Sequence, residues 1–278
     1  MSMVNHEKLI SLMDNYKAFL EGQERSNSSR PFCNVEEDYK RDIANKAAEA
    51  LKVADWNKEQ IGDGTIGAYA IKAVQKNVNL IGKFQVSAFA STVKENPLDS
   101  EKVLYDFYHD HKEQECFEEL CRVFGKKYDL LSYLYFVKDP KRYLPLRSSI
   151  FDKIFIKLGI DLKTAGRCSW ENYQEFIDVV NEVREAMVDY YDEPDIDLLD
   201  AHSFLWATQT ETARDDDKIV KTSGIAEGTL VFHKEYGEGV ISKFTEDKVY
   251  VLFSSKQRIF PYPEALEKGY LIDLSGDE

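Results

Sequence analysis

Up to residue 207, apolar positions recur three and four apart, the spacing of one buried helical face. Met3 to Leu20 carries Val4, Leu9, Ile10, Leu12, Met13, Tyr16, Phe19 and Leu20 in that rhythm and predicts a helix. The polar, serine-bearing stretch from Gly22 to Pro31 then predicts a loop. Further helices are predicted over Asp38 to Val53, through Tyr39, Ile43, Ala47, Ala50 and Leu51, and over Gly67 to Val74. Ser100 to Phe124 reads as one helix, capped by Asp99 or Ser100 and ended by Gly125. Tyr128 to Val137 is apolar throughout, so period alone does not separate strand from helix, and helix is favoured. Ser148 to Leu158 has a cap in Ser148 or Ser149, an apolar stripe and Gly159 behind it. Ser169 to Tyr191 is the strongest signal, with Tyr173, Phe176, Ile177, Val180, Val183 and Met187 along one side, and Leu198 to Ala207 predicts a shorter helix.

Beyond Gly224 the period falls to two. Thr229 to His233, Gly239 to Phe244, Lys248 to Ser254 and Arg258 to Tyr262 are short, β-branched or aromatic, and separated by turn residues. The expected fold class is α+β: a mainly helical domain over 1–207, an acidic linker over 208–224, and a small antiparallel β-barrel over 225–274.

Composition narrows the function. Fifty acids against 36 bases in 278 residues leave a net charge of −14, which repels a polyanion at long range and excludes a generic DNA coat. No stretch approaches the roughly 18 to 20 apolar residues of a spanning helix, and Met1 to Asp14 lacks a signal-peptide core. The expected location is therefore cytoplasmic, with Cys33, Cys116, Cys121 and Cys168 as reduced thiols. Charge is uneven: Glu185 to Asp217 holds eleven acids against Arg214 alone. Pro140 to Trp170 is the opposite, with Lys141, Arg142, Arg147, Lys153, Lys157, Lys163 and Arg167 against Asp152 and Asp161. This stretch is the candidate phosphate contact, and its bland alternative is a solvated face that pairs with the acidic block.

The segment Gly228-Thr-Leu-Val-Phe-His233-Lys-Glu-Tyr236-Gly237-Glu238-Gly239-Val240-Ile241 resembles the Tudor-like barrel at the C-terminus of UvrD/PcrA-type helicases, as do Val251-x-Phe253, Phe260-Pro261 and Leu271 in their positions. The resemblance covers about 50 residues and implies a contact surface for protein or nucleic acid without catalysis of its own. With six bases against ten acids from Ile225 to Glu278, it leans toward protein. The stretches Tyr143 to Asp152, Cys168 to Tyr173 and Asp200 to Trp206 resemble a helical module that accompanies bacterial restriction endonucleases and ATPases. That implies a setting of genome defence, phage defence included, or DNA repair. The nuclease signatures themselves are absent from the sequence.

Three constellations invite chemistry. Gly62-Asp-Gly64-Thr-Ile-Gly67 matches GxGxxG, yet the preceding Ala54 to Gln60 is no buried strand, so a turn opening a helix is the plainer account. His109, His111, Cys116 and Cys121 are zinc-ligand types at spacings that do not share a helical face. Asp200, His202 and Ser203 are triad types, but positions one and two apart in a helix diverge, and a structural hydrogen bond for His202 is the plainer account. The expectation is a non-enzymatic adaptor or regulatory subunit with no catalytic residue, metal or cofactor assigned. Phe232, Tyr236, Phe260 and Tyr262 would meet a protein partner such as a helicase, polymerase or nuclease subunit, and Arg142, Arg147, Lys153, Lys157 and Arg167 would meet nucleic acid secondarily. A metal-dependent nuclease or hydrolase using His109, His111 and nearby acids, and an acidic DNA mimic, are the alternatives.

Overall fold

The computed structural model describes residues 4–21, 35–77, 79–110, 112–208, 228–244, 248–253, 256–262 and 264–273. The loop expected over Gly22 to Pro31, Cys33, His111 and nearly all of the acidic linker lie outside the described residues. The chain divides into two compact units, Met1–Glu211 and Thr212–Glu278, and the α+β class is as expected.

The first unit is helical. Helices α1 (His6–Glu21), α2 (Val35–Leu51), α3 (Thr65–Val74), α4 (Lys83–Glu95), α5 (Pro97–His109), α6 (Glu113–Phe124), α7 (Tyr128–Lys138), α8 (Ser148–Leu158), α9 (Trp170–Tyr191) and α10 (198–208) follow in order. None among the described residues is long and apolar enough to cross a membrane. Helix α7 is buried on every side from Leu130 to Val137, which explains why its sequence shows no period. Its tyrosines keep their hydroxyls satisfied in the interior: Tyr133 donates to the Ala73 carbonyl at 3.0 Å and Tyr128 to Asn172 Oδ1 at 2.7 Å. Tyr173 of α9 joins them, donating to the Leu144 carbonyl at 2.7 Å. Phe117, Tyr135, Tyr143 and Trp170 complete this aromatic centre.

Three expectations are corrected here. Ser100 to Phe124 is two helices, and the first begins at Asn96 with Pro97 in its first turn rather than at Asp99 or Ser100. The break is made by a distant residue: Lys138 Nζ donates to the carbonyls of Phe107 (2.6 Å) and Asp110 (3.2 Å) and pairs with Glu113 at 3.0 Å. It thus ends α5 and anchors the first turn of α6 in one contact. Helix α8 is entered from Arg147, with no side chain capping it, rather than from Ser148 or Ser149. Ser169 caps α9 as expected, accepting from the Asn172 amide at 3.2 Å.

The second unit is a five-stranded antiparallel sheet in the order β4-β3-β2-β1-β5, formed by β1 (Leu230–His233), β2 (Gly237–Phe244), β3 (Lys248–Phe253), β4 (Lys256–Pro261) and β5 (Ile272–Asp273). The expected barrel is corrected to an open sheet: β4 and β5 are opposite edges, and no pairing joins them among the described residues. Instead the short helix α11 (Glu264–Glu267) covers the inner side, its Ala265 joining Val231, Ile241, Val249, Val251, Phe253 and Leu271 in a small core. The Tyr236-Gly237-x-Gly239 pattern has a steric cause. Gly237 turns at φ 74°, and a Cβ on Gly239 would lie 2.6 Å from the Phe253 ring.

Candidate functional site

The glycine motif is settled by a residue 34 positions beyond its last glycine. Gly62 and Gly64 have φ of 97° and 91°, so the loop aims its amides inward at the start of α3. There they meet the fully buried carboxylate of Glu101 on α5. Oε2 accepts from the Gly62 and Gly64 amides at 2.6 and 3.2 Å, and Oε1 accepts from Gly67 at 2.7 Å. An internal anion occupies the position a pyrophosphate would take. The third glycine lets helices approach, since a Cβ on Gly67 would lie 2.5 Å from Val93.

The remaining sequence candidates separate in the same way. His109 accepts no neighbour from α6: its Nδ1 contacts the Tyr105 carbonyl at 2.9 Å and its ring stacks on Tyr105. Cys116 faces a cleft with Val103 and Asp110, while Cys121 faces another with Cys168, and among the described residues no metal-ligand cluster forms. Asp200 pairs with Arg41 at 2.7 Å and accepts from the Asp197 amide, while Asp197 caps α10 by accepting from the Asp200 amide at 3.0 Å. His202 is fully buried, with Nε2 2.8 Å from the Pro145 carbonyl, so Nε2 carries the proton. Burial, reinforced by the Lys40 charge, holds its pKa well below the ordinary histidine range. Ser203 accepts from Lys40 at 3.4 Å, not from His202. The three residues form no nucleophile–base–acid chain. Asp197 and Asp200 of the acidic block pair with Arg41.

Part of that basic stretch lines a pocket of about 360 Å³ at the N-terminus of α8, formed by Arg147, Ser148, Ser149, Ala165, Gly166 and Cys168 together with Gln85, Lys126, Lys127, Tyr128 and Asp129. Two features favour an anion. The uncapped first turn of α8 presents backbone amides, and Lys126, Lys127 and Arg147 supply three positive charges against Asp129. Arg147 lies 4.0 Å from Asp129, a loose contact, and burial pushes the Asp129 carboxyl above its usual range while Arg147 opposes that shift. The far wall is held by Asp152, which accepts from the Thr164 amide and hydroxyl, both at 2.7 Å, and from the Ala165 amide at 3.0 Å.

Ser149, Lys153 and Lys157 are four residues apart and exposed, so the two lysines continue the pocket along one face of α8 at about 6 Å per step. Exposed Arg167 follows Gly166 at the rim. Arg142 does not belong here: it lies beyond the opposite end of α7, over the Tyr143 ring. The sequence reading missed Lys126 and Lys127; the dibasic turn after Gly125 was the signal. Tyr173, close in sequence to these bases, is buried in the core.

The four aromatics predicted for partner contact fall on two sides of the sheet. Phe260 and Tyr262 pack on the inner core. Tyr236 stacks on His233 at 4.5 Å beneath Arg258, at the rim of that same side. Phe232 alone points outward, and the register shows what accompanies it. Leu230, Val240 and Leu252 lie opposite one another across β1, β2 and β3, Phe232 pairs with Ile272, and Tyr250 pairs with Ile259. On β1, β2 and β3 these positions alternate with buried core residues, and Leu230, Phe232, Val240, Leu252, Ile259 and Ile272 are 38–57% exposed. The outer face carries this apolar row across the strands, with Glu238 opposite Phe232, Gln257 opposite Leu252 and Lys243 over the Tyr250 ring.

No protein family, curated protein or solved structure matches the chain.

Proposed function

We propose that this chain is a non-enzymatic adaptor that docks a protein partner on the outer face of its C-terminal sheet. One observation supports it above the others: the row Leu230, Val240, Leu252 with flanking Phe232, Ile259 and Ile272 is apolar and exposed where an antiparallel sheet ordinarily carries polar side chains. The excess of acids over bases from Ile225 to Glu278 favours a partner whose apolar surface is bordered by basic groups. The test compares the tagged chain with a Val240→Glu/Leu252→Glu variant. The parent retains a partner that rebinds after purification, and the variant loses it with an unchanged circular dichroism spectrum. Equal retention by both overturns the proposal, as does concentration-dependent dimerisation of the purified chain that the variant abolishes.

A second surface favours a phosphate-bearing ligand. The pocket at α8, prolonged by Lys153 and Lys157, suits a nucleic-acid backbone, in keeping with a bacterial DNA-repair or phage-defence setting. Charge reversal by Arg147→Glu and Lys153→Glu removes two phosphate contacts. The slope of log K against log salt for duplex DNA then falls by nearly 2. Unaltered affinity and slope in the variant refute this reading.

A further inference from the structure

The helical unit contains a pair of thiols, of which Cys168 also lines the α8 pocket and Cys121 does not. Cys121 sits on the last turn of α6 and Cys168 immediately before the Ser169 cap of α9, so residues 47 apart in sequence line one cleft of about 400 Å³ with Glu118, Lys126 and Trp170. The segment bearing Cys168 is fixed there, because the Tyr128 hydroxyl reaches the carbonyls of Arg167 and Ser169 at 3.4 and 3.2 Å. Both sulfurs are unbridged, and both residues line this one cleft. They differ in exposure: Cys121 is half-buried and opens to the cleft, while Cys168 is 8% exposed behind it.

We propose that Cys121 and Cys168 are a reversible oxidation site, an attacking and a resolving thiol that a hydroperoxide converts to a disulfide. Exposure assigns the roles, since Cys121 is half-buried and Cys168 is buried, and the electrostatics agree. The hydrogen bond from Cys168, and then the Lys126 charge, draw the Cys121 thiol below its ordinary pKa against burial and Glu118. The same contact, with burial, drives the Cys168 thiol far up, which keeps its proton in place to donate. Cys121 thiolate attacks one oxygen of hydrogen peroxide, the O–O bond breaks, and the departing hydroxide takes up the proton Cys121 had lost. Cys121 is then a sulfenic acid. The Cys168 sulfur attacks the Cys121 sulfur, the S–O bond breaks, and the departing hydroxide takes the Cys168 proton. Two thiols and one hydrogen peroxide thereby yield one disulfide and two waters.

The test uses the full chain, reduced, treated with a small excess of hydrogen peroxide, blocked with N-ethylmaleimide and digested without reductant. The expected result is an intact mass about 2 Da lower before blocking, a single peptide pair joining Cys121 to Cys168 after digestion, and full reversal by dithiothreitol. In Cys168→Ser the reaction halts at a Cys121 sulfenic acid that dimedone traps. A Cys121 that remains alkylated after peroxide, oxidation to sulfinic acid without a cross-link, or a disulfide to Cys33 overturns the proposal. The parent peptide map decides the matter alone if the serine variant fails to fold.

Discussion

Replacing Glu101 by glutamine is the sharpest probe of the glycine loop. The carboxylate accepts three backbone N–H groups, at 2.6, 3.2 and 2.7 Å, from a fully buried position. Glutamine keeps the shape and one acceptor oxygen but turns an amino group toward at least one amide, leaving a buried donor facing a donor. Hydrogen bonds to a charged acceptor contribute about 1.5–3 kcal/mol each, and an unsatisfied buried amide costs about 1–3 kcal/mol. Relief of the buried charge offsets part of this, so the net loss is about 2–4 kcal/mol. All three tryptophans, Trp56, Trp170 and Trp206, lie in the helical unit, so urea unfolding followed by tryptophan fluorescence reports this unit alone. With a slope of about 2–3 kcal/mol per molar, the midpoint falls by roughly 1 M. A midpoint within about 0.2 M of the parent refutes the reasoning, and so does measurable ATP or NAD binding by the parent at this loop.

Three further outcomes follow from the same geometry. His202 is neutral in the folded unit and its pKa lies below the unfolded value of 6.5, so the unfolded chain binds the extra proton. Stability is therefore full above about pH 6.5 and declines below it, by up to about 1.4 kcal/mol per pH unit until the folded pKa is passed; His202→Gln flattens that part of the pH profile measured by urea titration. Asp152→Ala frees the Thr164 and Ala165 amides, lowers the midpoint by an amount equivalent to about 1–3 kcal/mol, and speeds amide exchange at 164–166, which hydrogen-exchange mass spectrometry reads. Lys138→Met leaves the Phe107 and Asp110 carbonyls without their donor and Glu113 without its cation; a loss of about 3 kcal/mol is expected in thermal unfolding, and a loss below about 0.5 kcal/mol contradicts the capping role.

What could be read from the sequence tracks how local its cause is. Helices α1, α8 and α9 announce themselves through their own apolar stripes and, for α8 and α9, through Gly159 and Ser169. Helix α4 passes unnoticed because only Phe89 and Val93 are buried and Phe84 stays exposed. The break between α5 and α6 depends on Lys138, and the fate of the glycine loop on Glu101; neither dependence is visible in the segment it governs. The anion pocket shows the same limit, for Arg147 belonged to an evident basic run while Lys126 and Lys127 reach it from another turn. At the sheet, aromatic identity pointed to Phe260 and Tyr262, which face inward. Only the strand register aligns Leu230, Val240 and Leu252 into one surface.

The claim that this outer face holds a protein is tested most directly by site-specific photocrosslinking. A benzophenone side chain is placed at Leu252, at Leu230 and, as a control, at exposed Lys268 beyond α11, and each chain is irradiated in native lysate. The account predicts one discrete adduct, containing the same protein, from Leu230 and Leu252 and none from Lys268. No adduct from the two sheet positions, or the same adduct from all three, contradicts it.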